Sequence, residues 1–341
     1  MIDVVRLTRE LIDIPSVTGE EFQIGTSLGE LLHRLGYHVQ LQNISDERAN
    51  IIATTEVPPR IVLSTHMDTV PPFIASREDD EFIYGRGACD AKGIIATQIA
   101  AAEKLRAQGV QDVGLLFTVD EEVASTGAKL ANEHAVAASC EYLINGEPTD
   151  NRLAAGTKGS LQATIQAVGR AAHSAYPEQG ESAIEKLLDV LGDIRKVRWP
   201  SSDIFGETTC NIGIISGGSR ANIIPDNAEA TLQLRLAVDA SSVTKLLESA
   251  IAERAAIDYK SSHDPVKLMV LDGMEPMVAR FTTDIPYLHK WGAALLIGPG
   301  SILVAHTDHE RVKKTELLRA VDMYVELVQM LRNRERSERP A

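Results

Sequence analysis

Three consecutive carboxylates, Asp120, Glu121 and Glu122, end an apolar run that is long enough for a buried strand. Core packing requires no such acidic cluster, and like charges side by side repel one another unless a cation lies among them. The run at 115–119 therefore predicts a metal site at the carboxyl end of a strand.

Other strand-length apolar runs also end in side chains that can bind a metal. They are the runs at 61–65, 141–146 and 301–305, which lead into His66 and Asp68, into Glu147 and into His306. In open α/β sheets, ligands bind beyond the carboxyl ends of the strands, so these side chains are expected to meet in one crevice. With Asp90, which follows a glycine-containing segment, they point to a metalloenzyme.

Each of these residues has an ordinary alternative when it is considered alone. His66 and Asp68 could form a surface hydrogen bond, and Asp90 could cap the helix that follows it. Glu147 could begin a turn, and His306 could belong to the core. Five nitrogen and oxygen donors at strand ends are too many to be accidental. Without cysteine they suit zinc, cobalt or manganese, in a centre of two ions that share a carboxylate.

Glu121 and Glu122 are adjacent, so on extended backbone their side chains point to opposite sides. One of them can then bind a metal while the other faces the substrate. A ligating imidazole also needs its second nitrogen held, and Asp68 is the expected partner of His66 in that role.

The composition excludes several classes of protein. With 341 residues, two domains are favoured over one. Lys+Arg 34 against Asp+Glu 48 gives a net charge of -14, which disfavours nucleic acid and anionic membranes as partners. No export signal or membrane-spanning apolar run is recognisable, so we expect a cytoplasmic protein. The three cysteines are far apart and are expected to be free thiols.

The first half of the chain alternates helical and buried-strand patterns, which is typical of an α/β fold with a mainly parallel sheet. Helices are predicted at 3–12, 20–35, 93–107 and 126–138, and strands at 37–41, 50–53, 60–65, 114–119 and 142–145.

In the middle of the chain the pattern changes, because 161–168 and 228–236 alternate with a period of two, as in half-exposed strands. Further elements are helices at 181–195, 241–254 and 313–331, strands at 208–215, 266–271 and 293–297, and a frayed charged tail at 332–339. The sequence therefore predicts a discontinuous metal-binding catalytic domain, 1–156 and 266–341, with a compact α+β domain inserted at 157–265.

The chain resembles the M20 family of metallopeptidases and deacylases, the group of acetylornithine deacetylase, acetyl-lysine deacetylase and succinyl-diaminopimelate desuccinylase. The matching stretches are STHMDTVP at 64–71, YGRGACDAKG at 84–93, DEE at 120–122, GEPT at 146–149, GRAAHSAYP at 169–177, GGSRANIIP at 217–225 and AHTDHE at 305–310. They follow one another in the family's order over almost the whole chain. The resemblance implies a zinc-peptidase-like catalytic domain. It also implies that the inserted domain at 157–265 is a lid and dimerisation domain, through which a homodimer forms.

The resemblance also implies a role for each site residue. The implied metal ligands are His66 and Glu147 for one ion, Glu122 and His306 for the other, and Asp90 as the bridge, with Asp68 behind His66. Glu121 would be the general base. His173 would reach the active site of a partner subunit to stabilise the oxyanion. Asn222 and Arg235, on the same face of the lid, would bind a carboxylate or carbonyl oxygen of the substrate.

Two stretches depart from the family pattern. The segment between Pro71 and Tyr84 lacks the tryptophan that the family often carries. At 281–284 the chain reads FTTD, where relatives have Gly-Thr before an aspartate. The missing tryptophan would alter the lining of the entrance to the site. Phe281 would alter any contact that the 281–284 stretch makes with the substrate.

The predicted function is removal of an acyl group from a small N-acyl amino acid, by a hydrolase with two divalent ions, zinc before cobalt or manganese. In this family, Glu at the position of Glu147 is typical of deacylases and some carboxypeptidases, whereas aminopeptidases tend to have Asp. The acidic protein would favour substrates with a basic side chain. A dipeptidase or carboxypeptidase acting on short peptides is the alternative among hydrolases. A non-catalytic binding module is the remote alternative.

Overall fold

The computed structural model describes residues 2–334, so the predicted charged tail lies outside the described residues from position 335 onward. The chain divides into two compact units. The first is drawn from Met1–Ala155, Leu268–Met277 and Thr283–Ala341, and the second from Gly156–Lys267 and Val278–Thr282.

Residues 2–334 form seven α-helices, four short 3₁₀ helices and twenty strands. The α-helices are α1 Val4–Ile12, α2 Phe22–Arg34, α3 Lys92–Ala107, α4 Thr126–Ala131, α5 Ala183–Ile194, α6 Ala240–Ile251 and α7 Lys314–Asn333, and the 3₁₀ helices are Ala135–Ser139, Pro177–Gln179, Ile285–Tyr287 and His289–Trp291. The strands are β1 His38–Ser45, β2 Arg48–Thr54, β3 Ile61–His66, β4 Arg77–Glu78, β5 Phe82–Tyr84, β6 Val113–Thr118, β7 Tyr142–Asn145, β8 Ala154–Thr157, β9 Gly159–Val168, β10 Ala172–His173, β11 Ser201–Ser202, β12 Gly206–Glu207, β13 Thr209–Gly217, β14 Ile223–Ile224, β15 Asn227–Leu236, β16 Ala256–His263, β17 Val266–Lys267, β18 Met277–Ala279, β19 Ala293–Leu296 and β20 Arg311–Lys313.

A six-stranded sheet in the order β1-β2-β6-β3-β7-β19 forms the centre of the first unit. The last four strands in this order pair in parallel, and β1 and β2 are antiparallel. Every residue of β3, β6 and β7 is buried, as in a parallel sheet that is covered on both faces. The predicted α/β fold with a mainly parallel sheet is thereby confirmed.

Successive residues of β3 show how the two faces are covered. Ile61 and Leu63 belong to a core cluster that includes residues of α1, α2, α3 and α7. Val62, between them, belongs to a second cluster with Leu116 and Trp291. The strand is therefore apolar throughout, and its polar residues are confined to its carboxyl end.

Two predicted elements are wrong, and two others have the wrong bounds: the strand predicted at 266–271 is limited to Val266–Lys267, and the tail predicted to be frayed from 332 is helical as far as Asn333. The helix predicted at 126–138 ends at Ala131, because His134 takes extended backbone and its Nδ1 accepts the Val136 N–H to begin a 3₁₀ helix. The strand predicted at 301–305 is a series of turns that follows Gly300, whose φ is +86°. Leu303 within these turns is 85% exposed, so an apolar run alone does not establish a strand.

The second unit is an antiparallel sheet in the order β13-β15-β9-β16, with helices packed on one face. Buried positions alternate along β15, and they pack with those of β9 against α5 and α6. This matches the period-two pattern of the sequence. Among the described residues, no helix has both the length and the apolar character needed to cross a bilayer.

Candidate active site

The carboxyl ends of β3 and β6 lie side by side because the two strands pair in parallel, with His66 opposite Thr118. The Met67 N–H donates to the Thr118 carbonyl oxygen at 2.8 Å, which continues this pairing beyond the last residue of β3. The acidic residues that follow β6 are thereby brought next to the buried imidazole of His66.

The acidic segment after β6 forms a turn over residues 121–124, so the expectation that Glu121 and Glu122 lie on extended backbone is wrong. The turn begins at Asp120, whose φ is 67°, in the left-handed region. The Asp120 carboxylate accepts hydrogen bonds from Thr126 Oγ1 at 2.6 Å and from Arg48 Nη2 at 3.1 Å. These bonds hold the turn at its first residue.

Asp68 joins this turn to the end of β3. Its carboxylate accepts the N–H groups of Glu121 and Glu122 at 3.1 and 3.2 Å, and the hydroxyl of Thr18 at 2.8 Å. The nearest Asp68 oxygen to His66 Nδ1 is the main-chain carbonyl at 3.0 Å, whereas Oδ1 is 3.6 Å away. A donating Nδ1 leaves Nε2 with its lone pair available for a ligand.

Asp90 lies between two histidines, and each of its oxygens faces one of them. His66 Nε2 is 3.0 Å from Oδ1, and His306 Nε2 is 3.2 Å from Oδ2. His306 Nε2 is also 3.1 Å from the Glu122 carboxylate. The potential ligand atoms of His66, Asp90 and Glu122 all lie within 4.8 Å of one another.

The ordinary alternatives for two of these residues do not match their surroundings. Asp90 is not the cap of the following helix, because the N-cap position of α3 is Ala91, and α3 has no side-chain cap. The side chain of His306 is 49% exposed and its φ is 62°, so it is not a core histidine.

Glu147 follows β7 after Gly146 and is 4% exposed. Gly146 permits the close packing here, because a Cβ at this position would come within 2.3 Å of Ile94 Cγ2. In the part of the chain that the structure describes, the carboxylates of Glu147 and Glu121 form no hydrogen bond or ion pair. Glu147 is buried and Glu121 is partly buried, and a carboxylate without a partner is costly in such surroundings. Burial holds the pKa of both groups well above the usual range.

For the two histidines, by contrast, the surroundings favour the charged form. Hydrogen bonds to Asp90 and Glu122 raise the pKa of His306 to about 10. Burial lowers the pKa of His66, but its contacts with Asp68 and Asp90 outweigh burial and hold the pKa well above its usual value. Protons on these imidazoles thus neutralise part of the carboxylate charge, and divalent cations held by the same nitrogens and oxygens would neutralise more. The donor set therefore fits a divalent metal centre.

Asp284 is a further buried carboxylate near the site, and the sequence alone predicts no role for it. It is the aspartate of the departing FTTD stretch, and it is 2% exposed. Oδ2 accepts the Thr118 hydroxyl at 2.7 Å, whereas Oδ1 has no hydrogen-bond partner within residues 2–334. Burial raises its pKa to about 6, and its charge contributes to the raised pKa of Glu121 and Glu147. Apart from the family motif, no spacing rule marks such a residue.

The remaining predicted site residues belong to the second unit. His173 ends β10 and pairs with Ile223 of β14, and the Ser174 N–H donates to the Asn222 carbonyl oxygen at 3.1 Å, so His173 and Asn222 are neighbours. Both are exposed. Arg235 is partly buried near the carboxyl end of β15. It is eight residues beyond Asn227, the first residue of that strand, which corresponds to roughly 26 Å along the strand. Their roles stay predictions.

Residues 62–330 match the family model of peptidase family M20/M25/M40. A probable carboxypeptidase of Aspergillus terreus is 36% identical over an alignment 366 positions long, gaps included, that covers 94% of this chain and 84% of that protein. The chain belongs to the M20 peptidase family. It is a metal-dependent hydrolase of amide bonds, and the family and enzyme class predicted from the sequence are confirmed.

Solved structures share the fold of this M20 chain. A tripeptidase from Staphylococcus aureus superposes with a TM-score of 0.82 at 22% identity, covering 97% of this chain and 98% of that one. A Bacillus subtilis protein, described as a dinuclear metal-binding peptidase of family M20, superposes with a TM-score of 0.68 at 15% identity, covering 96% and 97%.

Proposed function

We propose that this M20 hydrolase holds two divalent ions and cleaves the amide bond that joins an acyl or peptidyl group to a carboxylate-bearing amino acid. The observation that carries the proposal is Asp90, with one oxygen 3.0 Å from His66 and the other 3.2 Å from His306. A carboxylate that faces two imidazoles in this way suits a ligand shared by two ions.

The donors on either side of Asp90 divide into two sets. His66 and Glu147 would hold one ion, and Glu122 and His306 the other. When bound, the ions would lower the pKa of a water molecule and polarise the carbonyl of the substrate. The nitrogen and oxygen donors favour zinc, with cobalt or manganese as alternatives. The dinuclear description of the Bacillus subtilis protein supports a count of two.

Glu121 is the general base of the proposal. Its carboxylate has no hydrogen-bond partner among the described residues, so it is available to accept a proton from the attacking water. Burial and the nearby charge of Glu147 raise its pKa, which strengthens it as a base. After attack, Glu121 would return the proton to the leaving amine. Asp68 would orient Glu121 by accepting its main-chain N–H.

The first candidate substrate is a small N-acyl-α-amino acid with a basic side chain. Glu147 supports a deacylase over an aminopeptidase, because this position tends to be Glu in the family's deacylases and in some of its carboxypeptidases. The net charge of -14 supports a basic side chain through long-range attraction. The second candidate is a peptide with a free carboxyl terminus, which the probable carboxypeptidase of Aspergillus terreus favours.

A panel of substrates separates these candidates. The metal-loaded protein should be assayed with N-acetyl and N-succinyl forms of ornithine, lysine, arginine, glutamate and diaminopimelate, with free dipeptides and with amino-terminally blocked dipeptides. Hydrolysis concentrated in the acyl amino acids supports a deacylase. Preference for blocked dipeptides supports a carboxypeptidase, and preference for free dipeptides supports a dipeptidase. If the metal-loaded protein hydrolysed no substrate of the panel, the result would contradict the proposal and favour the binding-module alternative.

We also propose that the second unit joins two chains through β13. This strand is at the edge of its sheet, and Ile214 and Ile215 on it are 63% and 56% exposed. An exposed apolar edge strand is suited to pairing with another chain. In such a dimer, His173 would act on the substrate of the partner subunit. Light scattering of the Ile215→Lys variant tests the interface, because the charge should shift the protein towards monomer.

A further inference from the structure

Arg86 and Glu310 form a buried ion pair close to the proposed metal ligands. Nη1 of Arg86 is 2.7 Å from Oε2 of Glu310, and the two side chains are 2% and 0% exposed. The proposed reaction uses neither residue. Replacing a buried ion pair by apolar residues is often neutral for stability, so stability alone gives no reason for charges at this position.

Glu310 holds the main chain of the loop that carries Asp90. Its Oε1 accepts the N–H groups of Gly87 at 2.9 Å, of Cys89 at 3.2 Å and of Asp90 itself at 3.2 Å. Gly87 has a φ of +90°, a value that glycine adopts readily. Because glycine can also adopt many other conformations, the loop needs support to keep this one. One carboxylate oxygen thus fixes the main chain of the turn that determines the orientation of Asp90.

Arg86 holds the loop that carries His306. Nη1 donates to the carbonyl oxygen of Thr307 at 3.1 Å, and Nε donates to that of Pro72 at 3.3 Å. A guanidinium can serve a carboxylate and two carbonyls at once because its donors form a rigid planar fork. The pair therefore joins the Asp90 loop to the His306 loop.

We propose that Arg86 and Glu310 are positioning residues that hold Asp90 and His306 at the separation at which both bind metal. The inference rests on the proposed function, because it takes these two residues as ligands. Neither member of the pair needs to touch a metal or a substrate. Their effect is on metal affinity, through the main chain of the two ligand loops.

The test is a titration of the metal-free protein with Co²⁺, in competition with a chromophoric chelator. Glu310→Gln keeps the shape and one accepting oxygen of the side chain but removes the charge that binds Arg86. Loss of a group that orients a ligand typically weakens metal binding by about 10- to 100-fold, and we expect this for both ions because Asp90 is shared. The visible spectrum of the bound Co²⁺ should change as well, because the ligand geometry is altered.

A matched control is Glu141→Gln. Glu141 forms an ion pair with Arg60 at 2.8 Å, at the amino ends of β7 and β3 and thus at the far end of the strands from the site. This variant should lose some stability in thermal unfolding while its Co²⁺ affinity remains within twofold of the parent. Glu310→Gln should need a higher Co²⁺ concentration than the parent to reach full activity, whereas the control should reach it at the Co²⁺ concentration that saturates the parent.

The outcomes separate the two proposals. A parent protein that binds no Co²⁺ would overturn the two-ion function and this inference with it. A parent that binds two ions, with a folded Glu310→Gln variant of parental affinity, would overturn the positioning role alone. If Glu310→Gln does not fold, Arg86→Lys takes its place, because a single ammonium can remain beside Glu310 but cannot also reach Thr307 and Pro72. Parental Co²⁺ affinity in Arg86→Lys would overturn the role, and weakened affinity would support it.

Discussion

His66 and His173 both end a strand, but their imidazoles have different surroundings. His66 is buried, with Nδ1 held by the Asp68 carbonyl and Nε2 3.0 Å from Asp90. His173 is exposed, and its Nδ1 accepts the N–H of Ala175 at 3.1 Å. A histidine fixed at both nitrogens is organised for a permanent ligand, whereas one on an exposed hairpin suits a substrate or partner that arrives later.

The largest effect is expected from Glu121→Gln, in the first unit. The substitution keeps the shape of the side chain and removes the proton acceptor, so kcat should fall by about 100-fold or more. Metal content, measured by elemental analysis, should stay close to that of the parent, since Glu121 is not a proposed ligand. Activity within a few-fold of the parent would remove Glu121 as the base.

An effect of similar size is expected from His173→Ala, in the second unit. Loss of an oxyanion donor typically costs about 100- to 1,000-fold in kcat, and metal content should not change. Mixing this variant with Glu121→Gln should restore part of the activity if the histidine acts across a dimer. His38→Ala is a control, because His38 is exposed, lies far in sequence from every proposed site residue and pairs through its ring with Glu56. A fully active, monomeric His173→Ala protein would contradict both the role and the dimer.

The ion pairs of the two units can be compared in the same way. Arg86→Met should lower the free energy of unfolding by about 3–5 kcal/mol, because it leaves the Glu310 charge buried without its partner. In the second unit, Asp193→Asn should change stability little, since its pair with Arg254 is exposed. Urea unfolding of both variants measures the difference, and equal losses would contradict the contrast in burial.

The smallest effect concerns Asp284 and depends on pH. Burial raises its pKa from 3.8 to about 6, so the folded state binds more protons than the unfolded state between these values. The ionised carboxylate therefore costs stability above pH 6, and the cost disappears as pH falls towards 4. In the metal-free protein, Asp284→Asn should raise the free energy of unfolding by at most about 3 kcal/mol at pH 8, and by less at pH 5. A gain that is larger at pH 5 would contradict this account.

The sequence alone is sufficient to predict the parts of the fold in which a simple pattern of apolar residues repeats. Buried strands such as β3 and β6 are continuous apolar runs, and their parallel pairing follows from the α/β order. By contrast, β4, β5 and β20 are two or three residues long and carry no period. The run at 301–305 was mistaken for a strand because its turns depend on Gly300 and on contacts with distant segments.

The residues of the candidate site also fall into those that a simple sequence pattern predicts and those that it does not. Donors at strand ends, such as His66 and Glu122, could be predicted because topology brings strand ends together. Glu310 was not given a role because it is 220 residues from Asp90 in sequence, and only the folded chain brings its carboxylate to that loop. Asp284 was missed for the same reason, since its contact is with Thr118 at the end of β6.

The most direct test of the central claim is the divalent metal content of the purified protein, measured by elemental analysis after dialysis against metal-free buffer and reloading with zinc. The account predicts close to two ions per chain, loss of activity on chelation and recovery when metal is returned. Removing a shared ligand with Asp90→Ala should abolish tight binding of both ions. A protein that holds no divalent metal, or that hydrolyses amides equally well after complete chelation, would contradict it.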